Sequence, residues 1–187
     1  MRNLKKSAQV RKGFTLVELL VVIAIIAILA AVVVLIINPM ELTRRGRDAA
    51  RLTDLANIQQ AINVAAQEAT ASSAAILCDS TTAPCEGTSN AGTRVADGTG
   101  WVKVNMSSQK SVSVPTLPVD PTNSAAYHYK YCSNGDAWEI DTVLESEQQK
   151  SKMANDGGNE NAVDTTGRYE VGSDLTLIAA SGGSCAY

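Results

Sequence analysis

Apolar and polar positions divide the chain into three zones. Residues 14–37, FTLVELLVVIAIIAILAAVVVLII, are 24 positions of which 23 carry no charge; the exception is Glu18. A helix of that length reaches about 36 Å at 1.5 Å per residue, enough for a hydrocarbon core of about 30 Å. Further on, Leu52, Leu55, Ile58, Ile62, Ala65, Ala66 and Ala69 recur at steps of three and four, with Asp54, Asn57, Gln59, Asn63 and Gln67 off that line. This pattern predicts an amphipathic helix whose apolar stripe is covered by a sheet. Between the two runs stands Asn38-Pro39. Proline inside a helix removes a hydrogen bond and clashes with the preceding turn, so a helix break is expected at Pro39, with Gly46 as a second one. Around Gly46 lie Arg44, Arg45, Arg47 and Arg51, which predict a solvated helix face with the local pairs Glu41–Arg45 and Asp48–Arg51, or a contact with acidic lipid headgroups.

The third zone changes period. Residues 71–100 are rich in Ala, Ser, Thr and Gly and read as a surface loop. Residues 101–105, WVKVN, alternate as a strand does. Pro115, Pro118 and Pro121 then interrupt regular structure. Tyr127-His128-Tyr129-Lys130-Tyr131 alternates aromatic and polar side chains, the period of a half-buried strand. Ser133-Asn134-Gly135-Asp136 reads as a hairpin turn, residues 137–144 as the returning strand, and residues 168–178 as a further strand or extended segment. The expected fold class is α+β, a long N-terminal helix packed on a small antiparallel sheet. Four segments follow: a basic leader at 1–13, an apolar helix at 14–37, an amphipathic half at 38–70 and a globular head at 71–187.

Charge sharpens this division. Residues 1–13 hold five basic side chains and no acid, whereas the rest of the chain has 11 basic against 19 acidic. A basic leader before an apolar span keeps the N-terminus cytoplasmic and sends the remainder outward. The apolar run is too long for a secretory signal core and ends without a small-residue cleavage site. An acidic exposed body argues against direct nucleic-acid binding, which needs a basic face. The four cysteines, Cys78, Cys85, Cys132 and Cys185, all follow the span, and an even number in an exported region reads as two disulfides. Of three possible connectivities, Cys78–Cys85 with Cys132–Cys185 is favoured: the first pair is close in sequence and the second pins the C-terminal segment. His128 is the one histidine, no nucleophile, metalloprotease or phosphate-loop motif is present, and no enzymatic activity is expected.

Gly13-Phe14-Thr15-Leu16-Val17-Glu18, with Lys12 before it and the apolar run after it, resembles the cleavage and methylation signature of class III prepilins, the type IV pilins and the pseudopilins of type II secretion. The resemblance implies that a membrane-embedded prepilin peptidase cuts between Gly13 and Phe14 and that Phe14 becomes the N-methylated first residue. It implies storage in the bacterial cytoplasmic membrane and then polymerisation into a surface filament by an inner-membrane platform and its ATPase. A new amine on Phe14 and the carboxylate of Glu18 are each costly when left unpaired in apolar surroundings. Stacking in register pairs them, so Glu18 is expected to set the register of assembly. A helix over residues 14–70, about 85 Å long, suits such a filament. Leu117-Pro118-Val119-Asp120-Pro121 followed by Tyr127-His128-Tyr129 resembles G-type pseudopilins, in which a loop near the C-terminus binds calcium. Asp156, Asn159, Glu160 and Asp164 are the corresponding candidates, although their spacing fits no EF-hand; no other cofactor is expected. The leading expectation is a type IV pilus subunit serving adhesion, twitching motility or DNA uptake. The alternatives are a major pseudopilin of type II secretion and a membrane-anchored extracellular binding protein.

Overall fold

The computed structural model describes residues 13–69, 72–79, 81–107, 111 and 114–186. One unit ends at Pro39 and a second begins at Met40.

In the first unit, helix α1 (Leu16–Ile36) starts at Thr15, whose extended backbone and side-chain oxygen make it the N-cap. It ends where Ile37 turns extended, two residues before proline, in keeping with the bias of a residue preceding proline against helical backbone. Helix α2 (Pro39–Glu68) then starts on Pro39 itself. Proline suits a first helical position because its missing N–H would lack an intrahelical acceptor there. The expected break at Pro39 is therefore present, and the continuous rod expected over 14–70 is two helices. The expected break at Gly46 is not: α2 runs through it. A glycine costs a helix only about 1 kcal/mol, and side-chain pairs on both sides hold this one. Arg45 Nε meets Glu41 Oε1 at 3.2 Å, and Arg47 Nε meets Glu145 Oε1 at 2.8 Å.

The second unit takes in the amphipathic segment from Met40 onward together with the head. Leu55, Ile58, Ala61, Ile62 and Ala65 of α2 are buried in one cluster with Trp101, Val102, Val104, Met106, Leu117, Tyr129, Tyr131, Trp138 and Ile140. The sheet is antiparallel with four strands in sequence order: β1 (Cys85–Thr88), β2 (Lys130–Ser133), β3 (Trp138–Thr142) and β4 (Tyr169–Gly172). The β2–β3 hairpin falls close to its expected place. Asn134 Oδ1 accepts the amides of Asp136 and Ala137, and Gly135 takes φ +93°, a value that suits glycine.

Three expectations for the head are corrected. Residues 71–100 are not a bare loop; they hold a short helix α3 (Ser73–Leu77) and strand β1. Residues 101–105 form bends with one isolated bridge, Asp97 to Asn105. Their alternation fails because Trp101, Val102 and Val104 are all buried, leaving no wet face. A Cβ on Gly87 of β1 would lie 2.2 Å from the Trp101 carbonyl oxygen, so this segment lies directly on the strand. The strand expected from Tyr127 starts only at Lys130, with Tyr129 held instead by its phenol to Asp54 Oδ2 at 2.9 Å.

Alternation gives the sheet two unlike faces. Tyr131, Ile140 and Val171 point to α2 and the main core. Lys130, Cys132, Glu139, Asp141 and Glu170 share the other face, which is buried too. Leu177, Ile178 and Cys185 of the C-terminal segment form a second small cluster with Cys132 on that side.

Candidate functional site

The N-terminal site is built on the first turn of α1. Thr15 Oγ1 accepts the Glu18 amide at 3.2 Å, while Glu18 Oε2 accepts both the Thr15 amide and the Thr15 hydroxyl at 2.8 Å. This reciprocal capping box satisfies two amides that the start of a helix leaves open. It also fixes the Glu18 carboxylate at the level of Thr15, one residue beyond Phe14. Above it, Leu16–Val34 is long and apolar enough to cross a membrane and is not buried against the rest of the chain. A helix apolar on every side finds its partners outside its own fold, in lipid or against other helices. Gly13 and Phe14 precede α1 and are exposed, open to an enzyme acting on the backbone.

Residues 9–34 match the family model of the prokaryotic N-terminal methylation motif. The chain carries a class III prepilin signal. This prepilin signal is that of type IV pilins and pseudopilins, and the architecture of one long apolar helix, an α2-packed small sheet and two disulfides agrees with a pilin-like α+β fold. It implies processing by prepilin peptidase and assembly into filaments. No curated protein and no solved structure matches the chain.

In the head, polar groups are organised around Arg51. Its guanidinium is sealed from solvent and meets Asp120 Oδ2 at 2.6 Å, Asp48 Oδ1 at 2.8 Å and Glu145 Oε1 at 2.6 Å, with its Cζ 5.3 Å from the Tyr127 ring centroid. Burial alone would weaken the charge, but Asp120, then Glu145 and Asp48, outweigh it and hold Arg51 protonated. Asp48 also accepts the amides of Glu145 and Ser146, and Asp120 accepts those of Thr122 and Asn123. The pairs expected from helical spacing, Glu41–Arg45 and Asp48–Arg51, are both present. The solvated face expected for them holds at the exposed Arg45 but not at Asp48 and Arg51, which are enclosed by two loops distant in sequence. The Asp120-Pro121 and Tyr127 positions that resembled a pseudopilin motif both line this network.

Cys78–Cys85 and Cys132–Cys185 are both bonded, the favoured pairing. Three of the four calcium candidates, Asp156, Glu160 and Asp164, accept backbone amides instead, each at a different place. Asp156 accepts the amides of Gly158 and Glu170, Glu160 Oε1 accepts that of Ala180, and Asp164 accepts the amide and hydroxyl of Thr166. Among the described residues no three His, Cys, Asp or Glu side chains are grouped to hold an ion. His128 is half-buried, with Nδ1 3.2 Å from the Ser124 carbonyl, and burial lowers its pKa.

Proposed function

We propose that this chain is the structural subunit of a type IV pilus, cut between Gly13 and Phe14, methylated on Phe14 and polymerised through α1 into a filament with roles in adhesion, motility or DNA uptake. Its role is structural, and the chemistry belongs to the enzyme that processes it. The observation that carries the reading is the placement of Glu18. A lone carboxylate sits on the first turn of a helix that is otherwise apolar on every side, directly beyond the residue that processing would turn into a free amine. A single anchor does not need that charge, since a neutral glutamine would cap Thr15 as well. A stack of such helices does, because the carboxylate of one copy and the amine of the same or a neighbouring copy neutralise each other only in register.

A pseudopilin of type II secretion is the second reading, favoured by the Asp120-Pro121…Tyr127 region and its place around Arg51. Mass spectrometry of the mature chain tests both: Phe14 first and carrying one methyl group is the expected result, and a chain beginning at Met1 refutes processing. Imaging of cells lacking the gene then separates them. Loss of long surface filaments supports the pilus, whereas intact filaments with blocked export of folded proteins support the pseudopilin.

A further inference from the structure

The outer face of the sheet carries more buried acid than base. Glu139 and Asp141 of β3 and Glu170 of β4 are all buried there, and Asp141 sits directly opposite Glu170. Glu139 is opposite Gly172, so no side chain separates it from its diagonal neighbour Glu170. Each of these two carboxyls uses one oxygen on backbone amides: Glu139 Oε2 accepts Leu177 at 2.8 Å and Ile178 at 2.9 Å, and Glu170 Oε2 accepts Glu160 at 3.3 Å. Their second oxygens, Glu139 Oε1 and Glu170 Oε1, are buried and have no hydrogen-bond donor. Two neighbouring buried carboxyls, each with an oxygen that has no donor, are best satisfied when one of them carries a proton.

We propose that Glu139 and Glu170 share one proton, and that this carboxyl–carboxylate pair is a pH-sensitive latch holding the C-terminal segment, residues 173–186, on the sheet. Glu139 is the link, since its other oxygen holds the Leu177 and Ile178 amides. The surrounding charges do not replace the proton. Lys130 of β2 is engaged by Glu86 of β1 and the Ala186 carbonyl. Arg168, just before β4, donates Nη1 to the Thr165 and Gly167 carbonyls and has Nε 3.8 Å from Asp141 Oδ2. Asp156 and Glu160, from the loop before β4, add negative charge, and Asp174 of the covering segment caps Thr176 instead. Gly158 lies against this carboxyl: a Cβ there would stand 1.7 Å from Glu170 Oε2, so the site requires glycine's small size.

Burial, followed by the hydrogen bond and charge of Glu139, pushes the Glu170 carboxyl up to about 9; burial likewise raises Glu139 and Asp141, each to about 7. The folded chain therefore keeps protons that the unfolded chain has lost. Stability from these groups is fully present below the ordinary carboxyl range and is lost as pH rises through about 7 to 9. On losing its proton the pair repels itself, and the segment loosens as a loop still tethered by Cys132–Cys185.

The test is amide hydrogen exchange on the full chain in detergent, corrected for intrinsic rates, at about pH 6 and about pH 10. Protection at Leu177 and Ile178 is expected to fall by about tenfold or more while that of residues 55–65 in α2 holds. In Glu170→Gln, whose amide donates to Glu139 without a titratable proton, protection is expected to persist at the higher pH. Equal protection of the wild type at both values, or equal loss in the variant, overturns the proposal. Should the variant not fold, infrared spectra of the wild type decide: an un-ionised buried carboxylic acid band at neutral pH that disappears on alkalinisation is expected, and its absence refutes a shared proton. Protection that depends on added calcium and vanishes with chelator at neutral pH also overturns it, because a cation would then bridge the pair.

Discussion

Arg51 and Asp120 are 69 residues apart in sequence and meet fork to fork, Nε to Oδ2 at 2.6 Å and Nη2 to Oδ1 at 3.0 Å, with both side chains closed off from solvent. The pair ties α2 to the Pro118–Pro121 stretch, and through Asp48 and Glu145 it ties in the loop after β3 as well. Removing one member leaves the others charged and dry, which costs about 3–5 kcal/mol for a buried ion pair. Asp120→Ala and Arg51→Met are therefore expected to destabilise the head by that amount in denaturant titrations followed through the buried Trp101 and Trp138. Arg51→Lys should recover little of the loss, because an ammonium group cannot engage three carboxylates through a planar fork.

The charge on Glu18 is separable from its role as a cap. Glu18→Gln preserves the capping box, since an amide oxygen still accepts from Thr15, but removes the negative charge. Glu18→Ala removes both. If pairing with the Phe14 amine sets register, both variants should insert in the membrane and be processed, and both should give few filaments by electron microscopy of sheared cells. Normal filament yield from Glu18→Gln would leave capping as the whole role of this residue.

What the sequence revealed and what it hid follow from the range of the interactions. The break at Pro39, the turn at Asn134-Gly135 and the Glu18 signature are local, and each is written in adjacent residues. The apolar stripe of α2 showed at its helical period and lies where expected, in the core. Strand β1, Cys-Glu-Gly-Thr, has no apolar alternation at all; the Cys78–Cys85 bond and the close approach of Trp101 to Gly87 put it in the sheet. Arg51 resembled any other solvated arginine because its partners Asp120 and Glu145 lie far along the chain. The acidic face of the sheet was hidden for a similar reason. Glu139 and Asp141 alternate with Trp138 and Ile140 as wet positions do, and only the C-terminal segment folding over them makes them dry.

The two disulfides should contribute unequally. Cys132–Cys185 spans 53 positions and Cys78–Cys85 only 7. Chain-entropy reasoning assigns about 4 kcal/mol to the longer loop and about 2 kcal/mol to the shorter. Paired Cys→Ala variants compared by thermal unfolding are expected to follow that order. The longer crosslink should also be the one whose loss exposes residues 173–186 to protease, since only non-covalent contacts, among them those of Lys130, Glu139 and Glu160, then hold the segment.

Two glycines in regular elements should respond in opposite directions to the same substitution. A Cβ built on Gly46 meets nothing within 4 Å, and the residue lies inside α2. Gly46→Ala removes backbone freedom from the unfolded chain and improves helix propensity, so it is expected to stabilise the second unit by about 0.5–1 kcal/mol. A Cβ on Gly172 would stand 2.2 Å from the Trp138 carbonyl oxygen and 2.9 Å from the Glu139 Cα, both backbone atoms of the neighbouring strand. Neither can move aside without opening the β3–β4 pairing. Gly172→Ala is expected to cost about 1–3 kcal/mol, the range for forced overpacking. The same cost should appear as faster hydrogen exchange in β4. Unchanged stability in both variants would mean that the backbone at these positions is looser than the contacts of Gly172 require.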